Sequence, residues 1–258
     1  MSASRCILSP EYRSLLASFA RRRLLVALDF DGVLAPLVPT PEAAQVPATT
    51  RRLAHRLATL YPAVVISGRW RGQLVDRLPD VPFARLIGNF GYQPRDHAGH
   101  PEVRALVHRW AGVLAEACAA DHGIVIEDKV YSLAVHYRHA RNRPEARARI
   151  LEVVDTLDGA RWLNGTMAIS VLPASGLHKG TALQSARKAL GCDCALYVGD
   201  DGTDEDAFAS DTSERLIAVL VGRAAHSHAP YRLHHQSDVD EFLRVLVGLR
   251  APGSGLRA

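Results

Sequence analysis

The stretch LLVALDFDGVLAPLVP, residues Leu24–Pro39, decides the fold of this chain. It begins with five apolar residues, Leu24–Leu28, which is the pattern of a strand covered on both faces of a sheet. Asp29 and Asp31 follow at once. Because side chains of extended backbone alternate with period two, we expect both carboxylates to point together out of the carboxyl edge of the sheet. Two close carboxylates repel each other, so the pattern predicts a cation between them or a proton on one of them.

Buried-strand patterns recur along the chain and alternate with helical ones. The further predicted core strands are AVVISGR, FARLIGNFG, CALYVGD and RLIAVLVG. Between the second and third of these lies an α-β-β-α-β-β run whose strands alternate as surface strands do. We therefore predict an α/β fold, a Rossmann-like parallel sheet core with an inserted α+β domain. The predicted boundaries assign residues 1–95 and 174–258 to the core and 96–173 to the insertion.

Composition argues against several classes of partner. The chain has 258 residues and a net charge of +4, and no basic stripe interleaved with aromatic residues predicts a nucleic-acid surface. No apolar run approaches the roughly 20 residues that span a bilayer. The four cysteines form no C-x-x-C pair and no zinc spacing. We expect a soluble cytoplasmic protein without nucleic-acid or membrane partners, and the sequence leaves its oligomeric state open.

Four short polar segments follow predicted core strands or open a helix. They are Asp29-x-Asp31-Gly32, Ser67-Gly68-Arg69, Lys179-Gly180 and Gly199-Asp200-Asp201-x-x-Asp204. In open parallel sheets the ligand crevice lies outside the carboxyl ends of the strands, so we expect the four segments to meet there. Clustered carboxylates suit Mg²⁺, while a hydroxyl, an ammonium and free backbone amides suit phosphate oxygens.

The order of these segments resembles the four motifs of the haloacid dehalogenase superfamily of phosphotransferases. The strings LDFDGVLAPL, VHYR and VGDDGTDEDAF are more specifically similar to trehalose-6-phosphate phosphatases, and the resemblance extends from about Leu24 to Leu246. It implies a haloacid-dehalogenase-like catalytic core, and it makes the insertion a substrate-selecting cap. The implied reaction is Mg²⁺-dependent hydrolysis of a phosphorylated disaccharide, trehalose 6-phosphate first, through an aspartyl-phosphate.

The resemblance also assigns roles to single residues. Asp29 would attack phosphorus, and Asp31 would protonate the leaving sugar oxygen and then take a proton from the hydrolytic water. The groups expected to hold Mg²⁺ are the carboxylates of Asp29 and Asp200 and the backbone carbonyl of Asp31. The residues expected to hold the phosphoryl oxygens are Ser67, Gly68 and Lys179. The residues expected to orient these groups from behind are Asp201 and Asp204.

Recognition of the sugar is assigned to a further set. The residues expected to contact it are Arg69, Asn89, Glu127, Lys129, His136 and Arg138. Glu127 and Lys129 match an E-x-K pair of the family's cap, and the alternative is a surface ion pair on a hairpin. Four family residues are replaced here, at Phe90, Gln93, Thr166 and Ser170. We therefore keep a trehalose-like phosphosugar, such as a validoxylamine-type pseudodisaccharide phosphate, as the alternative substrate.

Two other classes of function compete with an enzyme. A phospho-receiver signalling domain also combines an acidic Mg²⁺ pocket, a phosphorylatable aspartate, a hydroxyl and a lysine, but it is about half as long as this chain and has no inserted domain. A catalytically silent sugar-binding relative is disfavoured because Asp29 and Asp31 are both present. Turnover of an aryl phosphate with Mg²⁺ would separate the enzyme from both classes.

Overall fold

The computed structural model describes residues 5–92, 100–165, 167–174, 176–224 and 226–250. Its α-helices are α1 (Arg13–Ala20), α2 (Ala48–Leu60), α3 (Arg71–Arg77), α4 (Pro101–Cys118), α5 (Arg143–Asp155), α6 (Lys179–Ala189), α7 (Glu205–Phe208) and α8 (Asp238–Arg250). Its first six strands are β1 (Arg5–Cys6), β2 (Leu24–Leu28), β3 (Ala63–Ile66), β4 (Arg85–Ile87), β5 (Val125–Asp128) and β6 (Leu133–His136). The others are β7 (Ala160–Gly165), β8 (Ala168–Pro173), β9 (Cys194–Gly199), β10 (Leu216–Val221) and β11 (Tyr231–Leu233).

Seven parallel strands form the larger sheet, in the order β1-β11-β10-β9-β2-β3-β4. All five residues of β2 are buried, because β2 lies inside the sheet between β9 and β3 and is covered on both faces. Leu24, Val26 and Leu28 belong to one hydrophobic cluster, whereas Leu25 and Ala27 belong to the cluster on the other face. The apolar run therefore forms the doubly covered strand that its composition predicts.

The smaller sheet is antiparallel, in the order β5-β6-β8-β7. Its apolar face packs against α4 and α5, and Leu133, Val135 and Ile169 contribute to that cluster together with Trp110 of α4 and Ile150 of α5. A parallel sheet with helices and a separate antiparallel sheet with helices confirm the predicted fold class.

The chain divides into two compact units. One consists of Met1–Gly91 and His178–Ala258, and the other is Tyr92–Leu177. These limits lie a few residues outside the predicted ones because the side chain of Tyr92 belongs to the second unit. Its ring stacks on that of Tyr131, with 5.8 Å between centroids, and its hydroxyl accepts a hydrogen bond of 3.1 Å from the Leu177 amide.

Some elements differ from the prediction. β1 and β11, with two and three residues, were not predicted, because strands of this length show no periodicity. The predicted strand FARLIGNFG ends at Ile87. Its backbone turns at Asn89 and Phe90, whose φ values of 51° and 57° lie in the left-handed region.

The longest described helix, α4, has 18 residues. Its charged residues, Glu102, Arg104, Arg109 and Glu116, are distributed along its whole length. None of the helices in the described ranges combines the length and the hydrophobicity that a bilayer crossing requires.

Candidate active site

Acidic side chains gather where β2 and β9 end. One carboxylate oxygen from each of Asp29, Asp200 and Asp204 lies within 4.8 Å of the others. Asp29 directly follows β2, and Asp200 directly follows the neighbouring strand β9. Parallel neighbours end at the same edge of a sheet, so residues about 170 positions apart meet as the sequence predicts.

Lys179 links two of these carboxylates. Its side chain is 1% exposed, and Nζ donates hydrogen bonds of 2.7 Å to Asp29 Oδ2 and 2.7 Å to Asp204 Oδ1. Burial lowers the pKa of the Lys179 ammonium, but the carboxylates of Asp204 and Asp29 outweigh burial and raise that pKa overall. A buried lysine is tolerated here because both of its ionic partners are hydrogen-bonded to it.

Negative charge still exceeds positive charge at this edge. Burial raises the pKa of Asp29 to about 8, against the lowering effect of Lys179. Burial, followed by the charges of Asp201 and Asp29, raises the pKa of Asp200 to about 9. Burial thus disfavours the ionised forms of Asp29 and Asp200, and a divalent cation beside them would stabilise those forms.

Asp204 is fully hydrogen-bonded and orients its neighbours. Its Oδ1 accepts from Lys179 Nζ and, at 2.6 Å, from the hydroxyl of Tyr197. Its Oδ2 accepts from the backbone amides of Asp200 (2.9 Å) and Asp201 (3.2 Å). With two donors on each oxygen, Asp204 has little capacity left for a metal ion. Asp29 and Asp200 are therefore the better carboxylate ligands.

Asp201 shapes the backbone of the same segment. Its Oδ1 accepts hydrogen bonds from the Thr203 amide (2.8 Å) and the Thr203 hydroxyl (2.6 Å), which caps the 3₁₀ turn Gly202–Asp204. Burial, followed by the charge of Asp204, raises the pKa of the Asp201 carboxyl. The turn brings Asp204 back toward Lys179.

Asp31 has a basic partner of its own. Its carboxylate accepts two hydrogen bonds from Arg69, from Nε at 2.6 Å and from Nη2 at 2.7 Å. The guanidinium of Arg69 also lies over the ring of Phe30, 5.1 Å from its centroid. Each of the two aspartates thus has a basic side chain of its own, Lys179 at Asp29 and Arg69 at Asp31. Arg69, which we expect at the sugar, contacts Asp31 in this structure.

The loop after β3 is fixed by the loop after β4. The Asn89 amide donates to the carbonyl of Arg69 (2.8 Å), and the Phe90 amide donates to the carbonyl of Ser67 (3.0 Å). Ser67 Oγ accepts from the Arg69 amide at 3.2 Å. Asn89 is completely buried, so the structure places it beneath this loop.

Phe90, one of the four positions where the resemblance implies a replaced family residue, is buried beside Gly68. Its ring is 4% exposed and lies over Gly68, where a Cβ atom would stand only 2.6 Å from Phe90 Cζ. Lys179 Nζ lies 6.0 Å from the centroid of the same ring. Phe90 therefore forms an apolar surface beside Gly68 and Lys179, which we expect to hold phosphate.

The second unit brings together three of its four predicted sugar ligands. The register places Glu127, Ala134 and Ser170 in one row across β5, β6 and β8, on the face opposite the helices. Glu127 Oε2 lies 3.0 Å from His136 Nε2 and 3.7 Å from Lys129 Nζ. The polar group is thus built on one face of a sheet.

The remaining predicted residues of this unit are not in that group. Arg138 lies beyond the end of β6, and its carbonyl accepts a hydrogen bond of 2.9 Å from Arg143 Nε. Gln93 and Thr166, two of the four replaced family positions, lie outside the described residues.

A separate open groove of about 1160 Å³ lies in the same unit, between the end of α4 and the start of α5. It is lined mainly by exposed side chains, and two of them, Arg149 and Glu145, form an ion pair of 3.4 Å. None of the predicted site residues lines this groove, so we assign it no part in the reaction.

Sequence reasoning missed Tyr197. It is fully buried, donates to Asp204, and has a pKa well above the usual value because of burial and then the Asp204 charge. The available signal was a hydroxyl inside the otherwise apolar strand CALYVG, since a buried hydroxyl needs a hydrogen-bond partner.

A substitution at Gly32 tests how closely the segment Asp29–Gly32 approaches Asp200. Its φ is +69°, and a Cβ atom there would lie 2.0 Å from Asp200 Oδ2. We expect Gly32→Ala to lower the free energy of unfolding by about 1–3 kcal/mol from backbone strain alone. The variant should also displace Asp200 and reduce turnover of an aryl phosphate. Gly112→Ala, in α4 with open space around it, is the control and should be neutral or stabilising. Equal behaviour of the two variants in urea denaturation and in turnover would contradict the described contact.

Comparison with known proteins gives one consistent result. The family model described as trehalose-phosphatase matches residues 27–237. The chain is 27% identical to probable trehalose-phosphate phosphatase 3 of Oryza sativa subsp. japonica over 278 residues, which cover 94% of this chain and 74% of that protein. It is 26% identical to trehalose 6-phosphate phosphatase RA3 of Zea mays over 272 residues, covering 94% and 75%.

A solved structure supports the fold. The C-terminal domain of C. albicans trehalose-6-phosphate phosphatase superposes with a TM-score of 0.81 at 22% identity, over 96% of this chain and 99% of that one. At this identity the likeness concerns the fold alone. Because the family model matches most of the chain, this chain belongs to the trehalose-phosphatase family and is a phosphoric monoester hydrolase.

Proposed function

We propose that this chain hydrolyses trehalose 6-phosphate to trehalose and inorganic phosphate through an aspartyl-phosphate on Asp29. The observation that carries the proposal is the carboxylate of Asp29 at the end of β2, hydrogen-bonded to the buried Lys179 and beside Asp200. Membership of the trehalose-phosphatase family supports the substrate. The related proteins named above are trehalose phosphatases, so the pseudodisaccharide alternative is not favoured.

The first step transfers the phosphoryl group to the protein. An oxygen of Asp29 attacks phosphorus in line with the leaving group, so one Asp29–phosphorus bond forms while the bond between phosphorus and the sugar oxygen breaks. Asp31 gives its proton to that oxygen, and trehalose leaves as a neutral alcohol. Ser67, the Gly68 amide and Lys179 hold the phosphoryl oxygens in this account.

The second step regenerates the enzyme. Asp31, now a carboxylate, takes a proton from a water molecule, and the resulting hydroxide equivalent attacks phosphorus. The Asp29–phosphorus bond breaks, and inorganic phosphate is released. Through its two hydrogen bonds, Arg69 positions the Asp31 carboxylate for this second step.

The donor set suits Mg²⁺. Asp29 and Asp200 supply carboxylate oxygens, and burial is the main cause of the raised pKa of both carboxyl groups. Asp204 is already saturated with hydrogen bonds. We propose that these two carboxylates and the backbone carbonyl of Asp31 hold the ion. When bound, Mg²⁺ would neutralise charge that otherwise separates the carboxylate of Asp29 from the phosphate dianion.

Metal removal tests this part of the proposal. We expect dialysis against a chelator to abolish phosphate release, because Asp29 and Asp200 then repel the substrate. Added Mg²⁺ should restore it, and Ca²⁺ should restore it poorly, because Ca²⁺ prefers more ligands and longer distances. Full activity in a rigorously metal-free sample would contradict the proposed site.

Asp31→Asn tests the acid and base. We expect turnover to fall by about 10²–10⁴-fold, the usual contribution of a positioned acid or base. Asp80→Asn, an exposed aspartate on the same unit, is the matched control and should keep wild-type turnover. An Asp31→Asn variant as fast as the control would remove Asp31 from the mechanism.

We propose that Tyr92–Leu177 acts as the substrate-selecting cap of a haloacid-dehalogenase-like core. Glu127, Lys129 and His136 form a connected polar group on one face of its sheet, suited to sugar hydroxyls. Arg138 and, in the core, Arg69 and Asn89 remain proposed sugar contacts of the same set.

A substrate panel tests the proposed function as a whole. We expect kcat/KM for trehalose 6-phosphate to exceed that for glucose 6-phosphate by at least about tenfold, because the second sugar adds contacts that the monosaccharide cannot make. Equal values for the two would show that the enzyme is a phosphatase without preference for the disaccharide.

A further inference from the structure

Asp31 lies in a tight turn, residues 30–35, that follows the first core strand of the site. The Ala35 amide donates to the Phe30 carbonyl at 2.8 Å, and Asp31 and Ala35 form a β-bridge. Val33, in the middle of the turn, is 0% exposed, so its carbonyl lies away from water. Val33 belongs to no helix or strand of the described ranges. Its carbonyl therefore needs a donor from outside the ladders of regular structure.

Gln236 supplies that donor from near the other end of the chain. Its side-chain Nε2 donates to the Val33 carbonyl at 2.9 Å, across 203 positions of the sequence. Both residues belong to the same compact unit, and Gln236 lies between β11 and α8. The turn that carries Asp31 is thus attached to the segment that leads into the last helix.

The segment that carries Gln236 is itself fixed in place. Asp238 is the first residue of α8, and its Oδ2 accepts hydrogen bonds from the amides of His234 and His235, each at 3.0 Å. The Val239 amide donates to the Gln236 carbonyl at 3.0 Å. The apolar side of α8 is buried in the hydrophobic core. Gln236 therefore extends from the start of a packed helix, and it can hold the turn of Asp31 in one position.

We propose that Gln236 is a positioning residue for Asp31: its amide holds the turn 30–35 where the Asp31 carboxyl group reaches the leaving sugar oxygen. Arg69 contacts the carboxylate itself, whereas Gln236 holds the backbone that carries it. A small displacement of an acid is costly, because proton transfer requires hydrogen-bond distance to the reacting oxygen. The inference rests on the proposed function, which makes Asp31 the acid.

The positioning of an acid can be distinguished from a merely structural role by the leaving group. A sugar alcohol leaves readily only when its oxygen is protonated, whereas para-nitrophenolate leaves as a stable anion and gains little from an acid. The value of kcat/KM covers the steps up to phosphoryl transfer to Asp29, and it excludes the later hydrolysis that both substrates share. The ratio of kcat/KM for trehalose 6-phosphate to that for para-nitrophenyl phosphate therefore measures the acid.

Two variants of Gln236 test the contact. Gln236→Met keeps the length of the side chain but removes the donor, and Gln236→Glu places an acceptor against the Val33 carbonyl. Gln45→Met makes the first change at an exposed position of the same unit and is the control. Asp31→Asn shows the ratio when the acid itself is missing. The assays use saturating Mg²⁺, and because both substrates are measured on one sample, the folded fraction cancels from the ratio.

We expect the ratio to fall by about tenfold in Gln236→Met, a loss on the scale of a slightly misplaced catalytic group. It should fall further in Gln236→Glu, and in the same direction in Asp31→Asn. Gln45→Met should keep the wild-type ratio.

Two results would overturn the role of Gln236 and leave the proposed function standing. One is a wild-type ratio in both Gln236 variants while Asp31→Asn lowers the ratio. The other is an equal loss on the two substrates, which would show that the contact with Val33 serves folding alone. A wild-type ratio in Asp31→Asn would instead show that Asp31 is not the acid, which would overturn that part of the proposed function and this inference with it.

Discussion

Asp29→Asn is expected to reduce turnover below about 10⁻³ of the wild-type value, the scale seen when a covalent nucleophile is removed. Asparagine keeps the shape of the side chain but is a much weaker nucleophile. The fold should persist, because the side chain keeps its shape and its amide oxygen can still accept one of the two hydrogen bonds that Asp29 accepts, from the Phe30 amide at Oδ1 or from Lys179 at Oδ2. Phosphate release and thermal unfolding of the same sample separate loss of chemistry from loss of structure.

The control for Asp29→Asn is again Asp80→Asn, which makes the same chemical change at an exposed position. Retention of more than a few per cent of wild-type activity by Asp29→Asn, once deamidation to aspartate has been ruled out by peptide mass, would show that Asp29 is not the nucleophile.

Lys179→Met should damage both stability and activity. The substitution leaves the carboxylates of Asp29 and Asp204 buried without their ammonium partner, and breaking a buried ion pair in this way costs about 3–5 kcal/mol. Lys179 also lowers the pKa of Asp29, so its loss favours the protonated carboxyl group, which cannot attack phosphorus. We expect turnover to fall by about 10²–10³-fold, as when one charge-stabilising group is removed from an active site.

Lys188→Met is the matched control, because Lys188 is exposed and lies in the same helix, α6. Urea denaturation should show a large stability loss for Lys179→Met and almost none for Lys188→Met. If the two variants lose the same small amount of stability and keep the same turnover, then the buried ion pairs of Lys179 contribute little to stability or to catalysis.

The core strands could be predicted from sequence because burial on both faces leaves an unbroken apolar run. β2 is such a run, and its five residues are all buried. The order of the strands could not be predicted in the same way. β2 pairs with β9, about 170 residues further along, and no local pattern identifies that neighbour. That the polar segments after β2 and β9 lie close together could be predicted only from the general rule that parallel strands present their carboxyl ends at one edge of the sheet.

Side-chain pairing in the site was harder to predict than the identity of its residues. The sequence shows Asp29, Asp31 and Lys179, but the rotamers that join Lys179 to Asp29 and Arg69 to Asp31 depend on surrounding packing. Arg69 is directed by the ring of Phe30 as well as by Asp31. The exposure of a side chain cannot be predicted from one sequence either. The residues around Trp70, which is 52% exposed, and around Trp110, which is 3% exposed, do not tell an exposed tryptophan from a buried one.

The central claim is that Asp29 takes the phosphoryl group from trehalose 6-phosphate. The direct measurement is an acid quench of the Mg²⁺-loaded enzyme during turnover of that substrate, followed by peptide mass analysis. We expect the peptide that contains Asp29 to gain one phosphoryl group, and fragmentation to place the group on Asp29. The gain should be absent without substrate and in Asp29→Asn. A phosphoryl group on any other residue, or rapid turnover with every peptide unmodified, would contradict the account.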